Sequence, residues 1–578
     1  MSANRRSLER LRIAFLVVCL LVLASAASAQ AWTKELAQGV TLTQKVINPS
    51  GQESSTPQII NTLKADPKAP GFRIQAALGR DRVLGADSTK GRETVSSIAK
   101  RLNAVAVVNA DFFPFTGDVL NLHISGGELM SEPNPRRPVF GITSDGQFLF
   151  DKLEFDAKIT LLEGKWFPIR GINRSAAANE QHQLVAYTSR FSDTTCTTNG
   201  GSEAVVKCDG LPVRAGVPLS GTVTEARSMA GDTPIPADSL VLSGSGTGAK
   251  FVDEYLKPGA PATIEFGLKP SKTTGWERVV EAVGGGPWLV KCGKASIDAK
   301  DEGFQPGFYL GSHPRTAIGV TQDGKLVLVT VDGRQSISAG MTLAQLAEVM
   351  LSEGCIEAIN LDGGGSTTMA TAFGILNSPS EGTERPVANA LAVFANASEQ
   401  ECPDFIITSS VSPIPSGQPV QLSLVDPNGQ PISADIASRA IWAATGGMGF
   451  VDQSGRFCGI KVGKGSVTAK IGSRIASLPV ETTPGLPDKL TARFESDPTG
   501  APNRSLLKVS VRDVNGNCVE GCQVSVQVMG GTPDQPSLTT AKDGTASTGI
   551  TWEAALGTPA SATITCAALP AVVVERPG

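Results

Sequence analysis

Histidine and aromatic residues are scarce in this chain of 578 residues. Three histidines occur, and aromatic residues make up 5% of the sequence. So few histidines argue against a two-metal hydrolase centre, which is built from several histidine and aspartate ligands. Few aromatics together with 62 glycines and 37 prolines favour turn-rich β structure over helix bundles. We therefore expect a low helix content.

An excess of charge of either sign is also lacking. The chain has 51 basic and 55 acidic residues, for a net charge of −4, and neither sign forms a long run. A nucleic-acid-binding protein needs a basic surface to contact phosphates. The sequence therefore predicts no nucleic-acid partner.

Long apolar runs are missing except near the N-terminus. Four arginines among the first 12 residues precede an apolar run over 13–24 and then Ala27-Ser28-Ala29, which is the order of a secretory signal peptide. No other stretch approaches the ~18 apolar residues of a membrane-spanning helix. We expect a signal peptide over residues 1–29, a mature protein that begins at Gln30 without a membrane span, and a secreted or extracytoplasmic location.

The cysteines fit an exported chain. Nine of the ten cysteines remain after the predicted cleavage, and an oxidising compartment lets them pair. Cys196 and Cys208 bracket a loop rich in Gly, Asn and Thr, and we predict a disulfide between them. For the Cys518 and Cys522 pair we favour a disulfide partner at Cys566 over a metal, because no second Cys/His pair accompanies it.

The apolar pattern changes near residue 400. From residue 403 onward, short alternating runs such as 420–424 are separated roughly every ten residues by Pro, Asn and Gly turns, which is the spacing of a β sandwich. We predict two immunoglobulin-like domains, at 403–484 and 485–578, that act as a spacer or surface-adhesion stalk. The domain at 30–398 is expected to fold and act without them.

The 30–398 domain mixes strands with a few well-marked helices. Thr342 and Gln345 form a capping box before an apolar stripe, and Gly354 supplies a stop, which predicts a helix over 342–353. Periodicity predicts a second helix over 95–102. A buried strand follows each helix. The predicted fold class is α+β, a mixed α/β catalytic domain followed by two all-β immunoglobulin-like sandwiches.

Both of these buried strands end in the same Asn-x-Asp pattern. Asn109 and Asp111 follow the first strand, and Asn360 and Asp362 follow the second. The repeat predicts that two lobes of the domain deliver polar residues to one cleft, with chance similarity as the alternative.

A glycine-rich turn follows Asp362. Three successive glycines let the backbone aim its N–H groups into one concavity, which suits a phosphate or another anion. Ser366 and Thr367 add hydroxyl donors. A plain turn is the alternative, but a carboxylate and two hydroxyls are costly to gather without a ligand, which favours a site. The glycines are Gly363, Gly364 and Gly365.

An Asp-Gly pair lies between two apolar runs and predicts a β-hairpin at Asp323-Gly324. If the loop has two residues, Arg315 lies opposite Asp332, within reach of its side chain. We then expect a guanidinium that a carboxylate positions toward a cleft. A plain surface ion pair is the alternative.

Four motifs lie between residues 313 and 391. Together they resemble the phosphodiester glycosidase family, and NADFF at 109–113 is similar to a softer motif of that family, with Ala110 where a glycine is common. The resemblance covers roughly residues 70–396 and implies a mixed α/β domain without a familiar superfold. The four motifs are HPRTAIG at 313–319, VDGR at 331–334, NLDGGGSTTM at 360–369 and RPVANAL at 385–391.

The resemblance implies a hydrolase that cleaves the glycosidic C–O bond of a sugar-1-phosphodiester and leaves a phosphate monoester. The departing phosphate is already anionic, so arginines and backbone N–H groups stabilise it in place of the usual carboxylic acid. Arg315 and the glycine turn are assigned to this phosphate, with Arg334 or Arg385 as a second clamp. Cell-wall or capsular polymers are the candidate substrates.

Two carboxylates are candidates for the reaction at the sugar. Either Asp111 or Asp362 activates water or attacks the anomeric carbon. His313 is a candidate general base or, equally, a hydrogen-bonded structural histidine. Three asparagines are assigned to sugar hydroxyls or water: Asn109, Asn360 and Asn389.

Alternatives to this reading concern metal and reaction. We expect no metal and no cofactor, although Asp111, Asp332 and Asp362 could converge on a divalent cation through oxygen ligands. A phosphodiesterase that attacks phosphorus is one rival function. A non-catalytic protein that binds cell wall or carbohydrate is the other.

Overall fold

The structure, a computed structural model, describes residues 29–47, 56–175, 182–398, 400–498, 501, 503–553, 559–567 and 569–577. The N-terminal 28 residues, and with them nearly all of the predicted signal peptide, lie outside the described residues. The chain divides into two compact units, Met1–Ser398 and Glu399–Gly578. Among the described residues, no helix combines the length and apolar character that a membrane span requires.

Strands dominate the first unit, so its character is mainly β rather than the expected mixed α/β. Its strands are β1 (Ala29–Ala37), β2 (Val40–Ile47), β3 (Gln58–Ala65), β4 (Arg73–Leu78), β5 (Ala106–Asn109), β6 (His123–Ser125), β7 (Glu128–Ser131), β8 (Pro138–Thr143), β9 (Phe148–Leu161), β10 (Trp166–Ile169), β11 (Gly171–Ile172), β12 (Leu184–Tyr187), β13 (Gly201–Asp209), β14 (Leu219–Ala230), β15 (Ser239–Gly244), β16 (Pro261–Pro270), β17 (Val279–Gly284), β18 (Trp288–Lys291), β19 (Lys294–Ala295), β20 (Arg315–Thr321), β21 (Leu326–Val331), β22 (Cys355–Asn360), β23 (Met369–Thr371), β24 (Gly374–Ile375) and β25 (Asn389–Phe394).

The helices are short, in agreement with the composition. Those of the first unit are α1 (Val95–Leu102), α2 (Thr247–Tyr255), α3 (Pro306–Leu310) and α4 (Leu343–Ser352). Helix α4 begins at the predicted capping box, in which Thr342 and Gln345 exchange hydrogen bonds. Both sequence-predicted helices are therefore confirmed.

Two sheets of the first unit position the site. One has the strand order β1-β2-β3-β21-β20-β22-β18-β19, and α4 packs on β18 and β22. In the other, β24-β23-β5-β25-β4 are neighbours in that order, and α1 packs on β23 and β5. Leu343, Leu346 and Met350 of α4 are fully buried, and burial of each such side chain contributes about 1.5–3 kcal/mol. A third sheet, β11-β12-β15-β13-β14-β16-β9-β8-β17-β6-β7, carries β10 on β9.

The predicted hairpin is formed by β20 and β21, but its register differs from the prediction. Arg315 pairs with Val331, not Asp332. The loop has three residues, because Thr321 pairs with Lys325 and only Gly324 of the Asp-Gly pair has a positive φ, at 82°. A three-residue loop shifts the register by one residue and moves the partner side chain to the other face of the sheet.

The second unit is built from β strands with one short helix, α5 (Ala434–Ser438), which the all-β prediction did not include. Its first core lies between β26-β28-β31-β30 and β27-β33-β32-β29, and its second between β34-β35-β39-β37 and β38-β36-β40-β41. These strands are β26 (Ile406–Ser409), β27 (Ile414–Pro415), β28 (Pro419–Val425), β29 (Ile441–Thr445), β30 (Gly449–Val451), β31 (Arg456–Gly459), β32 (Gly463–Ile471), β33 (Arg474–Thr483), β34 (Pro487–Ser496), β35 (Arg504–Asp513), β36 (Gln523–Met529), β37 (Gly531–Pro533), β38 (Ser537–Thr539), β39 (Thr545–Trp552), β40 (Ser561–Thr565) and β41 (Val572–Glu575).

The predicted disulfides are not formed in this structure, in which the nine described cysteines are free thiols. Cys196 is exposed, whereas Cys208 is buried in β13 with its thiol directed at the Val206 carbonyl. Cys522 and Cys566 are neighbours, since the Cys522 thiol interacts with the Cys566 thiol and contributes to its raised pKa, of which burial is the main cause.

Candidate active site

The two Asn-x-Asp segments meet, although they follow strands of different sheets. The backbone N–H of Asp362 donates to the Ala110 carbonyl at 2.8 Å, and the Asn109 side-chain amide donates to the Asp362 carbonyl at 2.6 Å. These bonds lock the end of β5 against the end of β22. The structure thus brings Asp111 and Asp362 together, in one place, as the repeat suggested.

Asp111 is 1% exposed and only partly hydrogen-bonded. Its Oδ1 accepts the Phe112 N–H at 2.8 Å, whereas its Oδ2 is buried without a partner. Burial raises the pKa of Asp111 to about 7, and the charge of Asp362 adds to this effect. A buried acid with a free oxygen and a pKa near neutrality is suited to hold or move a proton.

Asp362 has a similar character. Its Oδ1 accepts the Gly363 N–H at 2.9 Å. Burial raises the pKa of Asp362 to about 6, while nearby donors and the charges of Arg385 and Arg137 act in the opposite direction. Both carboxyl groups therefore have pKa values raised toward neutrality.

A buried histidine supports Asp111 from behind. The Asp111 N–H donates to Asn389 Oδ1 at 2.8 Å, and Asn389 Nδ2 lies 3.1 Å from His123 Nδ1. His123 is fully buried, and burial lowers its pKa to about 3, so the ring is neutral and accepts the amide hydrogen at Nδ1. No sequence motif pointed to His123 as part of the site, because its partners come from distant strands.

Two of the three asparagines, Asn109 and Asn389, are hydrogen-bonded within the protein through both side-chain atoms, whereas Asn360 keeps one free oxygen. Asn109 Oδ1 accepts from the Thr316 hydroxyl at 2.8 Å and from the Thr368 N–H at 3.1 Å. Asn360 Nδ2 donates to the Gly286 carbonyl at 2.8 Å, and its Oδ1 is buried without a partner. Their sugar-binding assignment is therefore not supported for Asn109 and Asn389, whose amide groups are engaged within the protein.

Two of the three N–H groups of the glycine turn are used within the protein. The Gly363 N–H is used by Asp362, and the Gly364 N–H donates to the Pro314 carbonyl at 3.0 Å. A Cβ at position 363 would lie 2.8 Å from the same carbonyl, so glycine is needed for close packing. Ser366 and Thr367 are buried. The turn therefore positions Asp362 more than it offers donors.

Arg315 does not face a cleft, and its predicted pairing with Asp332 is wrong. Its guanidinium is 1% exposed and donates to three backbone carbonyls, those of Met341 at 2.8 Å, Phe308 at 2.6 Å and Gly311 at 2.9 Å. Burial lowers the pKa of Arg315 to about 10. Arg315 thus fixes the loop around α3 through its Nε and Nη2.

Asp332 belongs to a separate buried network. Its carboxylate accepts from Asn377 Nδ2 at 2.8 Å and from the Ser378 N–H at 3.0 Å, and burial raises its pKa to about 7. No group of three or more His, Cys, Asp or Glu side chains in the described part of the chain is arranged to hold a metal ion.

Arg334 and Arg385 flank the glycine turn. Arg334 has a positive φ of 59°, which is uncommon outside glycine and typical of functional sites. A Cβ at position 364 would lie 3.2 Å from its Nη1. Arg385 lies against Gly365 and pairs with Glu381. Both guanidinium groups thus lie at the turn, and their role as a phosphate clamp stays a prediction.

His313 orients Arg334 and has no free ring nitrogen. Its Nδ1 lies 3.2 Å from Arg334 Nη2, and its Nε2 lies 3.0 Å from the Gly307 carbonyl. Because an arginine only donates, Nδ1 accepts and Nε2 carries the hydrogen. These contacts support the structural role for His313 over that of a general base.

Arg137 is a residue of this site that sequence reasoning missed. Its guanidinium lies 4.4 Å from the ring centroid of Phe304 and 5.2 Å from that of Phe112. Its charge lowers the pKa of both Asp111 and Asp362, against the effect of burial. A single arginine before Pro138 carries no recognisable motif, so no sequence signal pointed to it.

The site thus combines Asp111 and Asp362 with several guanidinium groups in a mainly β unit. Residues 213–394 match the family model described as phosphodiester glycosidase. This segment is thus similar to the phosphodiester glycosidase family. Asp362, Arg334 and Arg385 lie within the matched segment, whereas Asp111 and Arg137 precede it.

Relatives share only part of their length with this chain. It is 42% identical over 111 residues to the SPbeta prophage-derived uncharacterized protein YomE of Bacillus subtilis, which covers 19% of this chain and 16% of that protein. It is 33% identical over 111 residues to the N-acetylglucosamine-1-phosphodiester alpha-N-acetylglucosaminidase of Bos taurus, covering 18% and 21%. The chain thus spans less than a quarter of the length of these relatives.

A solved structure of a hypothetical protein from Synechocystis has a similar fold. It aligns with a TM-score of 0.52 and 22% identity over 64% of this chain and 64% of that one. This likeness concerns the fold alone.

Proposed function

We propose that the first unit is an exported hydrolase that cleaves the glycosidic C–O bond of a sugar-1-phosphodiester. The observation that carries the proposal is the meeting of Asp111, which is buried, and Asp362, which is half-buried, beside Arg334 and Arg385. Both acids have a pKa raised toward neutrality. The phosphodiester glycosidase match over 213–394 supports the substrate class.

The chemistry follows from the raised pKa values of the two acids, which let one carboxyl group be ionised while the other is protonated. The ionised carboxylate takes a proton from a water molecule, and the oxygen of that water molecule bonds to the anomeric carbon. The C–O bond to phosphate breaks, and its electron pair stays on the phosphate oxygen. The protonated carboxyl donates a hydrogen bond to a sugar hydroxyl. Free sugar and a phosphate monoester are released.

The arginines stabilise the phosphate as its charge grows. Arg334 is held by His313 and lies against the glycine turn, so little reorganisation is needed when the leaving oxygen becomes an anion. Arg385 approaches the same turn from the side of Gly365. No acid catalyst is needed at an oxygen that is already part of an anionic phosphate.

The signal-like pattern of the first 29 residues places this activity outside the cytoplasm in our proposal. Sugar-1-phosphodiesters in that compartment occur in polymers of the wall or capsule, which are the substrates we propose. The second unit would then be a spacer that presents the hydrolase.

Hydrolysis in ¹⁸O-labelled water tests which bond breaks. A panel of sugar-1-phosphodiesters is incubated with the mature chain, and the products are examined by mass spectrometry. We expect the label on the anomeric oxygen of the released sugar and none on the phosphate. Label on phosphate would mean attack at phosphorus and would replace this proposal by a phosphodiesterase.

A further inference from the structure

We propose that Arg137 is the primary phosphate-binding residue of this site, with Phe112 and Phe304 holding its guanidinium in place. The inference rests on the proposed function for its substrate but not for its test, because phosphate binding can be measured without turnover. It replaces the assignment of that role to Arg315, whose Nε and Nη2 donate to backbone carbonyls.

One N–H group of Arg137 lacks a hydrogen-bond partner. Arg137 Nη1 is buried and has no hydrogen-bond partner in the structure. A buried charged donor left unpaired costs free energy, and folded proteins rarely keep one unless a ligand uses it. Asp111, 1% exposed, also has an unpartnered buried oxygen, Oδ2. One ligand with an anionic oxygen and a hydroxyl group would satisfy both.

None of the neighbouring carboxylates is hydrogen-bonded to Arg137 Nη1, although Asp111 Oδ2 and Glu302 Oε2 are also buried without a partner. Glu302 is 1% exposed, and its Oε1 lies 3.3 Å from Lys152 Nζ and accepts from the Trp288 N–H. Asp111 Oδ1 is taken by the Phe112 N–H and Asp362 Oδ1 by the Gly363 N–H. Arg137 therefore interacts with these acids through its field, and it remains available for a ligand.

Two aromatic rings hold the guanidinium of Arg137 in a fixed orientation before a ligand binds. The rings of Phe112 and Phe304 lie 5.5 Å apart, and both face the guanidinium. Stacking of this kind restricts the planar group without using its N–H donors. Phe112 also donates its N–H to Asp111, so one residue fixes both the acid and the arginine. A planar fork held in this way matches two phosphate oxygens.

The adjacent arginine offers a matched control. Arg136 is exposed, and its guanidinium donates to the Asp301 carbonyl through Nε at 3.2 Å and Nη2 at 3.0 Å. Arg136 carries the same charge as Arg137 and is its neighbour in the chain, but its Nε and Nη2 already donate to a carbonyl. A general loss of positive charge would appear equally in both variants, whereas loss of a specific ligand would not.

The test compares Arg137→Gln, Arg137→Lys and Arg136→Gln in the full mature chain. Inorganic phosphate is the probe, titrated by calorimetry and by ³¹P NMR. We expect phosphate binding by the wild type and Arg136→Gln, a loss of at least tenfold in Arg137→Gln, and partial recovery in Arg137→Lys. On a sugar-1-phosphodiester, Arg137→Gln should lower kcat/KM about 10²–10³-fold.

Thermal unfolding without phosphate provides the control for folding. Because Nη1 has no hydrogen-bond partner in the folded protein, Arg137→Gln should not lower Tm. Added phosphate should raise Tm for the wild type and for Arg136→Gln, but not for Arg137→Gln. Phosphate binding by Arg137→Gln at wild-type strength, an equal loss in Arg136→Gln, or no binding by the wild type would each overturn the inference. If Arg137 governs phosphate binding but no sugar phosphodiester is hydrolysed, the binding site stands and the proposed function fails.

Discussion

Buried acids behave in opposite ways in the two units of this chain. Asp513, in the second unit, is 2% exposed and accepts the N–H groups of Gly485, Asn515 and Asn517, and these and other hydrogen bonds hold its pKa below the ordinary value, despite burial. Asp111 is equally buried, but one of its oxygens has no partner and its pKa is raised.

The same contrast holds for the units as wholes. Every buried side-chain nitrogen or oxygen found without a partner in the described residues belongs to the first unit. Unmet polar groups are costly, and proteins tolerate them where a ligand or a reaction requires them. Complete pairing in the second unit fits a spacer, and incomplete pairing around Asp111 fits a site.

The largest effect should separate the two aspartates by activity. Asp111→Asn should lower kcat about 10²–10⁴-fold, because the amide can neither take up nor release a proton. Asp513→Asn should leave kcat unchanged and lower the stability of the second unit, since several donors lose their carboxylate. Steady-state kinetics with a sugar-1-phosphodiester and chemical denaturation measure both. An unchanged kcat in Asp111→Asn would remove this residue from the mechanism.

The next effect uses pH, with Asp332 as an acid outside the site. Burial raises its folded pKa from 3.8 to about 7, so the unfolded chain ionises first and stability is lost as pH rises from about 4 to 7. Asp332→Asn abolishes this loss. Relative to wild type, the variant should therefore gain up to about 4 kcal/mol of unfolding free energy between pH 4 and pH 8.

Asp513→Asn should show the reverse sign in the same measurement. Its folded pKa is lowered, so the wild-type carboxylate stabilises the second unit above the unfolded pKa, and this advantage is lost as pH falls through the folded value. Equal pH dependence of the two variants would contradict the contrast between the units.

A smaller effect concerns two arginines of the first unit. Arg315→Met should lower the free energy of unfolding by about 3 kcal/mol, because three buried carbonyls lose a charged donor. Arg334→Met should change stability little, since Arg334 is exposed, but should lower kcat/KM. Denaturant unfolding and kinetics on both variants check this. A stable but inactive Arg315→Met would restore the earlier assignment of Arg315 to the phosphate.

Local signals in the sequence predicted local structure well. The capping box at Thr342 fixed the start of α4, and the Asn-x-Asp repeat indicated residues that do meet. The predicted register of the hairpin was wrong because Thr321 pairs with Lys325 through its hydroxyl and its backbone. This pairing leaves three residues in the loop instead of two. Propensity places a turn but does not count its residues, and one residue decides the face on which Asp332 lies.

Tertiary contacts of single residues had no sequence signal. Arg315 looked like a ligand because it stands in a family-like motif, yet its partners are backbone carbonyls, which carry no sequence identity. Arg137 and His123 were missed for the converse reason: each is defined by what surrounds it, Arg137 by Phe304 and His123 by Asn389, and these contacts come from distant segments.

The smallest effect should come from removing the second unit. All groups of the proposed site lie before residue 398, and the first unit has its own buried cores. We therefore propose that a fragment of residues 30–398 unfolds in one cooperative transition and keeps kcat/KM for a small sugar-1-phosphodiester within about twofold of the mature chain. Activity on an intact polymer is the matched comparison, because a spacer affects access and not chemistry. A fragment that loses activity on the small substrate while remaining folded would show that the second unit contributes to activity. The contrast between a reactive first unit and a spacer with fully paired polar groups would then be wrong.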